Sequence, residues 1–368
     1  MKKWTFVLLI CLSQQVFAQV TGGEHVFEFL RLSQSPHISS LGGIALANPS
    51  SDVMMSFTNP ALLRPEFHTQ IGLNYNFYYA GTRVSNFYYA QHLPKLNTTF
   101  GLGIQYLNYG KFNFTDALGN SYGTGSASDY AISLSASRSY LTRWRYGATI
   151  KYAHSNLFDK KSSAVLADIG VVYADTNAKW YLAAAVKNAG AQLSYFDPQT
   201  GAQPLPLDLQ IGLTKKFKKA PFTIMVLAHH LYTWDIRYDN PADQQDNTLL
   251  FTDTTQNTKK KSYFADKLFR HFVFALDVNL GKRLEISAGY NHLRRSELAI
   301  DERKGLSGFS FGAGLYLNQF TIHYAQSYYH IAGPYNEVGI NVRLNDLFGL
   351  GDAGKRINWS EKFAKSYL

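Results

Sequence analysis

In the stretch Ile71-Gly72-Leu73-Asn74-Tyr75-Asn76-Phe77 the large apolar residues Ile71, Leu73, Tyr75 and Phe77 alternate with Gly72, Asn74 and Asn76. Successive side chains of an extended strand point to opposite faces, so this stretch carries one apolar face and one small, polar face. The same division recurs where Leu207, Leu209, Ile211 and Leu213 alternate with Asp208, Gln210, Gly212 and Thr214. It recurs again in Ile132-Ser133-Leu134-Ser135, in Phe309 to Leu315 and in Val338 to Leu344. A soluble sandwich would pack the apolar faces inward, and filling its core takes large residues throughout. A closed sheet that turns its apolar face to lipid and its polar face to a lumen needs this pattern instead, and closure leaves no backbone group unpaired in the hydrocarbon.

Working outward from that stretch, period-two alternation predicts strands near 69–79, 83–92, 98–114, 127–140, 144–157, 163–175, 179–189, 206–217, 221–234, 271–281, 283–294, 306–317, 320–329 and 335–344. The fold class expected is all-β, a 14-stranded antiparallel transmembrane β-barrel spanning 69–344. The intervals 141–143, 176–178, 218–220, 282 and 318–319 read as tight periplasmic turns. The longer intervals 115–126, 190–205, 235–270 and 295–305 read as extracellular loops. Residues 19–68 are too many for a leader and read as an N-terminal hatch or plug folded into the lumen. Residues 345–368 read as a basic, aromatic periplasmic tail.

Composition agrees with a membrane barrel. The 368 residues include 25 Tyr and 25 Phe, and charged residues make up only 17%, against about 25% in ordinary soluble domains. Tyrosine, with an apolar ring and a polar tip, collects where a barrel meets lipid headgroups. Ahead of the barrel, Lys2 and Lys3, the apolar run Trp4 to Leu12 and Val16-Phe17-Ala18 have the layout of a secretory signal peptide, 1–18, cleaved after Ala18. The single cysteine, Cys11, lies within that run, so the mature chain is expected to have no disulfide and no thiolate site.

The formal charge of +10 does not point to nucleic acid, because no binding motif accompanies it. Lys215-Lys216, Lys218-Lys219 and Lys259-Lys260-Lys261 sit between strand-like runs. Lys259, Lys260 and Lys261, in the longest loop, are the candidate contacts to lipopolysaccharide or to a partner. No Ser-x-x-Lys pair is present, and the Gly-x-Gly sites at 101, 123 and 312 stand without a phosphate loop, so no catalytic residue and no cofactor is expected. No metal site is expected either. His229 and His230 are adjacent in a presumed strand, where they would face opposite ways and share no ion. Asp168 and Asp277, each in an otherwise apolar run, are expected to point into the lumen.

One set of motifs carries a resemblance. Thr21-Gly22-Gly23-Glu24-His25-Val26-Phe27-Glu28-Phe29-Leu30, then Ser39-Ser40-Leu41-Gly42-Gly43, then Asn59-Pro60-Ala61-Leu62-Leu63 resemble the start of the PorQ proteins of the type IX secretion system. PorV proteins and FadL-like transporters share the Asn-Pro-Ala element. The resemblance spans essentially the whole mature chain and implies an outer-membrane barrel with a hatch in which Asn59, Pro60 and Ala61 have a structural role. It implies a non-enzymatic function: anchoring a PorZ-like surface protein in an attachment complex with the PorU sortase and a PorV-like barrel, where cargo is processed and joined to anionic lipopolysaccharide. The chain departs from many barrels in not ending on an aromatic residue. Two other classes remain open on the residues alone. A FadL-like passive transporter of hydrophobic small molecules requires a continuous apolar passage beside the hatch and a lateral opening, and a lipid hydrolase requires Ser and His together at the outer rim.

Overall fold

The computed structural model describes residues 25–237, 264–297, 305–330 and 333–348. The expected signal peptide, Lys259 to Lys261 and most of the tail lie outside the described residues. The strands are β1 Gln70–Phe77, β2 Arg83–Leu93, β3 Thr98–Thr115, β4 Ser121–Tyr140, β5 Trp144–Leu157, β6 Lys160–Asp175, β7 Trp180–Ser194, β8 Asp208–Lys216, β9 Phe222–Ala228, β10 Phe272–Leu280, β11 Leu284–Asn291, β12 Phe309–Tyr316, β13 Phe320–His330 and β14 Gly333–Arg343. They form one closed antiparallel barrel in which each strand pairs with its neighbours in the chain and β1 pairs with β14. Four short helices accompany them: α1 Pro36–Ser40, α2 Phe264–Arg270, α3 His292–Glu297 and α4 Leu344–Phe348.

The alternation orients as the composition requires. In β1, Leu73 and Phe77 are 47% and 56% exposed on the outside, while Asn74 and Asn76 are buried inside. On the β4–β5 wall, Leu134 pairs with Ile150, and both stand outward. Tyr130 and Tyr152 stack beside one another above that pair, and Tyr140 and Trp144 lie below it. Ten residues of strand at ~3.3 Å each, tilted by ~40°, separate Tyr130 from Tyr140 by ~25 Å along the barrel axis, the height of a lipid-facing apolar band.

Several boundaries differ from the sequence expectation. The interval 115–126 is a loop only over 116–120: β3 and β4 continue as a ribbon, with Lys111 opposite Ser126 and Phe114 opposite Gly123. Both faces of that ribbon are largely exposed, so burial imposes no apolar alternation to read. β7 likewise runs on to Ser194 into the expected loop 190–205. β9 stops at Ala228 rather than near 234, and the expected loop 235–270 contains α2. The connections 78–82 and 158–159 are short although they lie at the end where long loops are expected.

Residues 25–69 pack inside the barrel, and the inner wall is thinned by glycine where they touch it. A Cβ on Gly289 would sit 2.2 Å from Gly42 N and 2.4 Å from Leu41 C. One on Gly147 would sit 2.6 Å from Pro60 C, and one on Gly72 would overlap the Met54 side chain. Gly101, Gly103 and Gly312, from the Gly-x-Gly sites, likewise make room for Tyr88, Phe57 and Ser40. Substituting Gly289→Val therefore forces backbone apart and is expected to cost about 1–3 kcal/mol as an overpacked core does. Gly123→Ala, whose nearest neighbour is 3.5 Å away, is expected to be neutral. Urea titration of the two refolded variants in detergent measures the difference.

Candidate functional site

The interior segment is held by its own short-range capping. Ser35 caps α1 through His37 N, and Pro36 at the first helical position leaves no N–H to satisfy. Asn59 does the same for the turn Pro60–Leu62: Oδ1 accepts from Ala61 N at 2.9 Å, while Nδ2 donates to Leu46 O at 3.1 Å. Asn59, Pro60 and Ala61 thus form one buried unit seated on the β5–β6 wall, where Gly147 and Gly170 leave the space they occupy. Gly42 and Gly43 both take φ near +87°, which favours glycine, and Gly42 O accepts from Asn291 Nδ2 and Arg294 Nη1.

The polar inner wall meets the irregular backbone of this segment. Gln105 Nε2 donates to Phe29 O at 3.0 Å, Lys187 Nζ to Phe57 O at 3.0 Å, Arg145 Nη1 to Leu63 O at 3.2 Å and Gln70 Nε2 to Ser51 O at 3.1 Å. Asp168 does point inward and pairs with Lys151 at 2.6 Å, both buried. A β-bulge builds their surroundings: Ala167 faces Ala189 but Ile169 faces Val186, so Asp168 stands against both Lys187 and Asn188. Asn188, at φ +58°, donates its N–H to Asp168 Oδ1, and its side-chain oxygen accepts from Lys151. Asp277 also points inward, to a cluster with His37, Glu285 and His323.

The expectation that His229 and His230 face opposite ways is overturned. The strand has ended at Ala228, and His230 takes a left-handed φ of +55°, which turns its ring back so that the two Nδ1 atoms are 2.5 Å apart. Asp208 completes the group by accepting from His230 N at 2.7 Å. Burial holds the pKa of both imidazoles below the ordinary value, His230 to about 4 in spite of Asp208, so two neutral rings share one N–H···N contact at neutral pH. Residue type does not mark where β9 ends, so alternation extended past Ala228 misplaces both rings.

Three cavities lie in a row along the interior. A vestibule of about 700 Å³, lined by Arg31, His229, His230, Arg294 and Tyr329 among others, reaches Ile44. A void of about 10 Å³ runs from Ile44 to Ala47 against Gly212, Leu227 and Ala275. A pocket of about 210 Å³ at the opposite end begins at Ala47 and is lined by Ala61, Leu62, Val172 and Trp144 among others. Ile44 is common to the first pair and Ala47 to the second, so a single seam of apolar contact links both ends of the barrel. Its wall side includes Val172, Ala183, Ala185, Leu227, Val273 and Ala275 together with Tyr181 and Met225, while a second apolar cluster, with Val84, Leu107, Ala153 and Leu166 of the wall, packs against Phe27, Phe29 and Leu30.

No protein-family model matches the chain, and no curated protein matches it. Among solved structures the chain is similar to the Pseudomonas putida toluene transporter TodX, with 10% identity, a TM-score of 0.47 and coverage of 84% of this chain and 97% of that one. A Pseudomonas aeruginosa FadL homologue gives 10% identity and a TM-score of 0.47, covering 84% and 98%. The CymD monoaromatic hydrocarbon channel gives 11% and 0.45, covering 85% and 97%.

The buried Lys151–Asp168 pair sets a test of the lumen's electrostatics. Removing one partner, as in Asp168→Asn, leaves an uncompensated buried ammonium and is expected to cost about 3–5 kcal/mol. The double variant Lys151→Met with Asp168→Leu is expected to regain most of that. A double-mutant cycle on unfolding free energies gives the coupling.

Proposed function

We propose that this chain is a non-enzymatic outer-membrane barrel that lets small hydrophobic molecules pass along the apolar seam between residues 44–47 and strands β7 to β10. The seam is the observation that carries the reading. A water-filled porin has no use for a file of Ala, Val and Leu through its lumen, whereas an apolar solute gains by leaving water for such a path. At about 10 Å³ the centre holds no more than about one water, so passage requires residues 44–47 to move aside.

Two measurements test it. Widening a seam side chain, Ala183→Trp or Ala275→Trp, is expected to abolish uptake of a hydrophobic dye into proteoliposomes while leaving the barrel folded; undiminished uptake sinks the conduit. Residence in the bilayer predicts that Ile150→Arg, near the middle of the apolar band, costs about 2–4 kcal/mol on folding into vesicles. An unchanged folding free energy into vesicles would contradict that.

A second reading has its own support. The β3–β4 ribbon extends beyond Asn108 and carries Phe112, Phe114 and Tyr122, which form an aromatic group with Phe158 of the β5–β6 connection, Phe114 being stacked on Tyr122 at 5.9 Å. Tyr122 is 73% exposed. Such a patch suits a protein partner. Together with the PorQ-like motifs it supports an anchor that holds a PorZ-like surface protein beside the PorU sortase and a PorV-like barrel, with Lys259 to Lys261 toward lipopolysaccharide. Deleting the gene then releases surface partner and cargo into the medium; their retention on cells removes this reading and leaves the conduit untouched.

A further inference from the structure

His37, on α1 within the lumen, meets three wall residues from three different strands: Asp277 on β10, Glu285 on β11 and His323 on β13. All four are buried. His37 Nε2 lies 3.1 Å from Glu285 Oε1 and 3.7 Å from Asp277 Oδ1. A nitrogen or oxygen atom from each of His37, Glu285 and His323 falls within 4.8 Å of the other two. Ligand atoms bound to one tetrahedral ion at ~2.0–2.2 Å are ~3.3 Å apart, so the group already stands near coordination spacing.

Charge makes the same point. Two carboxylates are buried here, and among the described residues no lysine or arginine ion-pairs with either. Protonating His37 leaves one negative charge uncompensated in a dry site, a costly state. One divalent cation with two neutral imidazoles brings the group to neutrality. Unused atoms face it: Asp277 Oδ1 and His323 Nε2 have no hydrogen-bond partner among the described residues. His37 Nδ1 and Asp277 Oδ2 are braced from behind, as metal ligands are, while Glu285 Oε1, the oxygen nearest His37, is itself held by Tyr316. Ser50 Oγ contacts His37 Nδ1 at 3.3 Å, Asn48 Nδ2 donates to Asp277 Oδ2 at 3.2 Å, and Tyr316 Oη donates to Glu285 Oε1 at 3.0 Å. The imidazoles of His37 and His323 are stacked, 5.0 Å apart and 11° from parallel, so sharing an ion requires one ring to turn out of the stack.

We propose that His37, Asp277, Glu285 and His323 bind one divalent first-row transition cation of the zinc type, which pins α1 of the interior segment to β10, β11 and β13. Imidazole and carboxylate together suit such ions, and no thiolate is required. This proposal is independent of whether the seam conducts.

The test uses the full chain in detergent, stripped with a chelator and titrated with Zn2+ by calorimetry and with Co2+ by visible absorption. One ion per chain with a tetrahedral Co2+ spectrum is expected. Glu285→Gln and His37→Gln are expected to weaken binding at least about tenfold, while Glu337→Gln, another buried carboxylate on the inner wall, leaves it unchanged. Heat-modifiable mobility on a gel reports whether each variant has folded. Should a ligand variant not fold, Asn48→Ala, which removes the donor to Asp277 Oδ2 and the acceptor for Ser50 N, is expected to lose about tenfold affinity; unchanged affinity there overturns the proposal. A wild-type chain that binds no ion shows an ion pair only and overturns it. Binding that survives both ligand substitutions places the ion elsewhere, with Asp208, His229 and His230 the next group to test, and overturns it equally.

Discussion

Pairing of β1 with β14, from Gln70↔Arg343 to Phe77↔Asn336, is the constraint on which the rest of the molecule depends. An open sheet would present two rows of unpaired N–H and C=O groups, each costing several kcal/mol in hydrocarbon. Closure removes both edges and in doing so fixes the circumference. Eight strands close around a lumen that their own side chains fill, but fourteen enclose more than wall side chains occupy. The space must take water or chain. Here residues 25–69 take it, and the glycines at 72, 147, 289 and 312 mark where the wall yields to them.

That filling explains the polarity of the inner wall better than a water channel does. The interior segment is made of short turns, and such turns leave carbonyls without intrasegment donors. Away from bulk water those groups need partners. Gln70, Gln105, Arg145, Lys187 and Asn291 each supply one from the wall. Gln70, Gln105, Lys187 and Asn291, which alternate with apolar residues along the strands, are therefore capping residues for a different part of the chain. Their long side chains reach carbonyls from a wall whose own backbone groups are engaged in the sheet.

The barrel was legible in the sequence because period-two alternation is enforced wherever one face meets lipid and the other a packed lumen; β5, predicted at 144–157, runs over those residues. Legibility failed where that enforcement ends. The ribbon of β3 and β4 past Asn108 is exposed on both faces, so its strand character left no mark. At His230 a left-handed φ reversed the side chain, a backbone event that the residue type does not announce. Asp168 and Asp277 were readable as inward charges, since a lone carboxylate in an apolar strand has nowhere else to go. Their partners were not: Lys151 lies on a neighbouring strand, while His37 comes from an interior segment with no periodicity at all. Long-range convergence across a lumen depends on register, and register is a property of the closed sheet.

The interior segment is not held equally on all sides, and the difference bears on how anything passes it. On the β10 to β14 side, Ser39 contacts Glu337, His37 contacts Glu285, and Asn291 binds Gly42 O, so separation there would strip hydrogen bonds and charges of their partners in a dry site. Toward β7, β8 and β9, residues 44–47 face Ala183, Ala185, Gly212 and Leu227 with apolar contact. Parting that contact for an apolar solute replaces one set of dispersion contacts by another and exposes no buried polar group on those wall side chains. The segment therefore has a fixed edge and a yielding one. On the proposed route a solute would displace residues 44–47, at the cost of the bonds from Thr58 Oγ1 to Ala45 O and from Asn59 Nδ2 to Leu46 O that tie them to the rest of the segment.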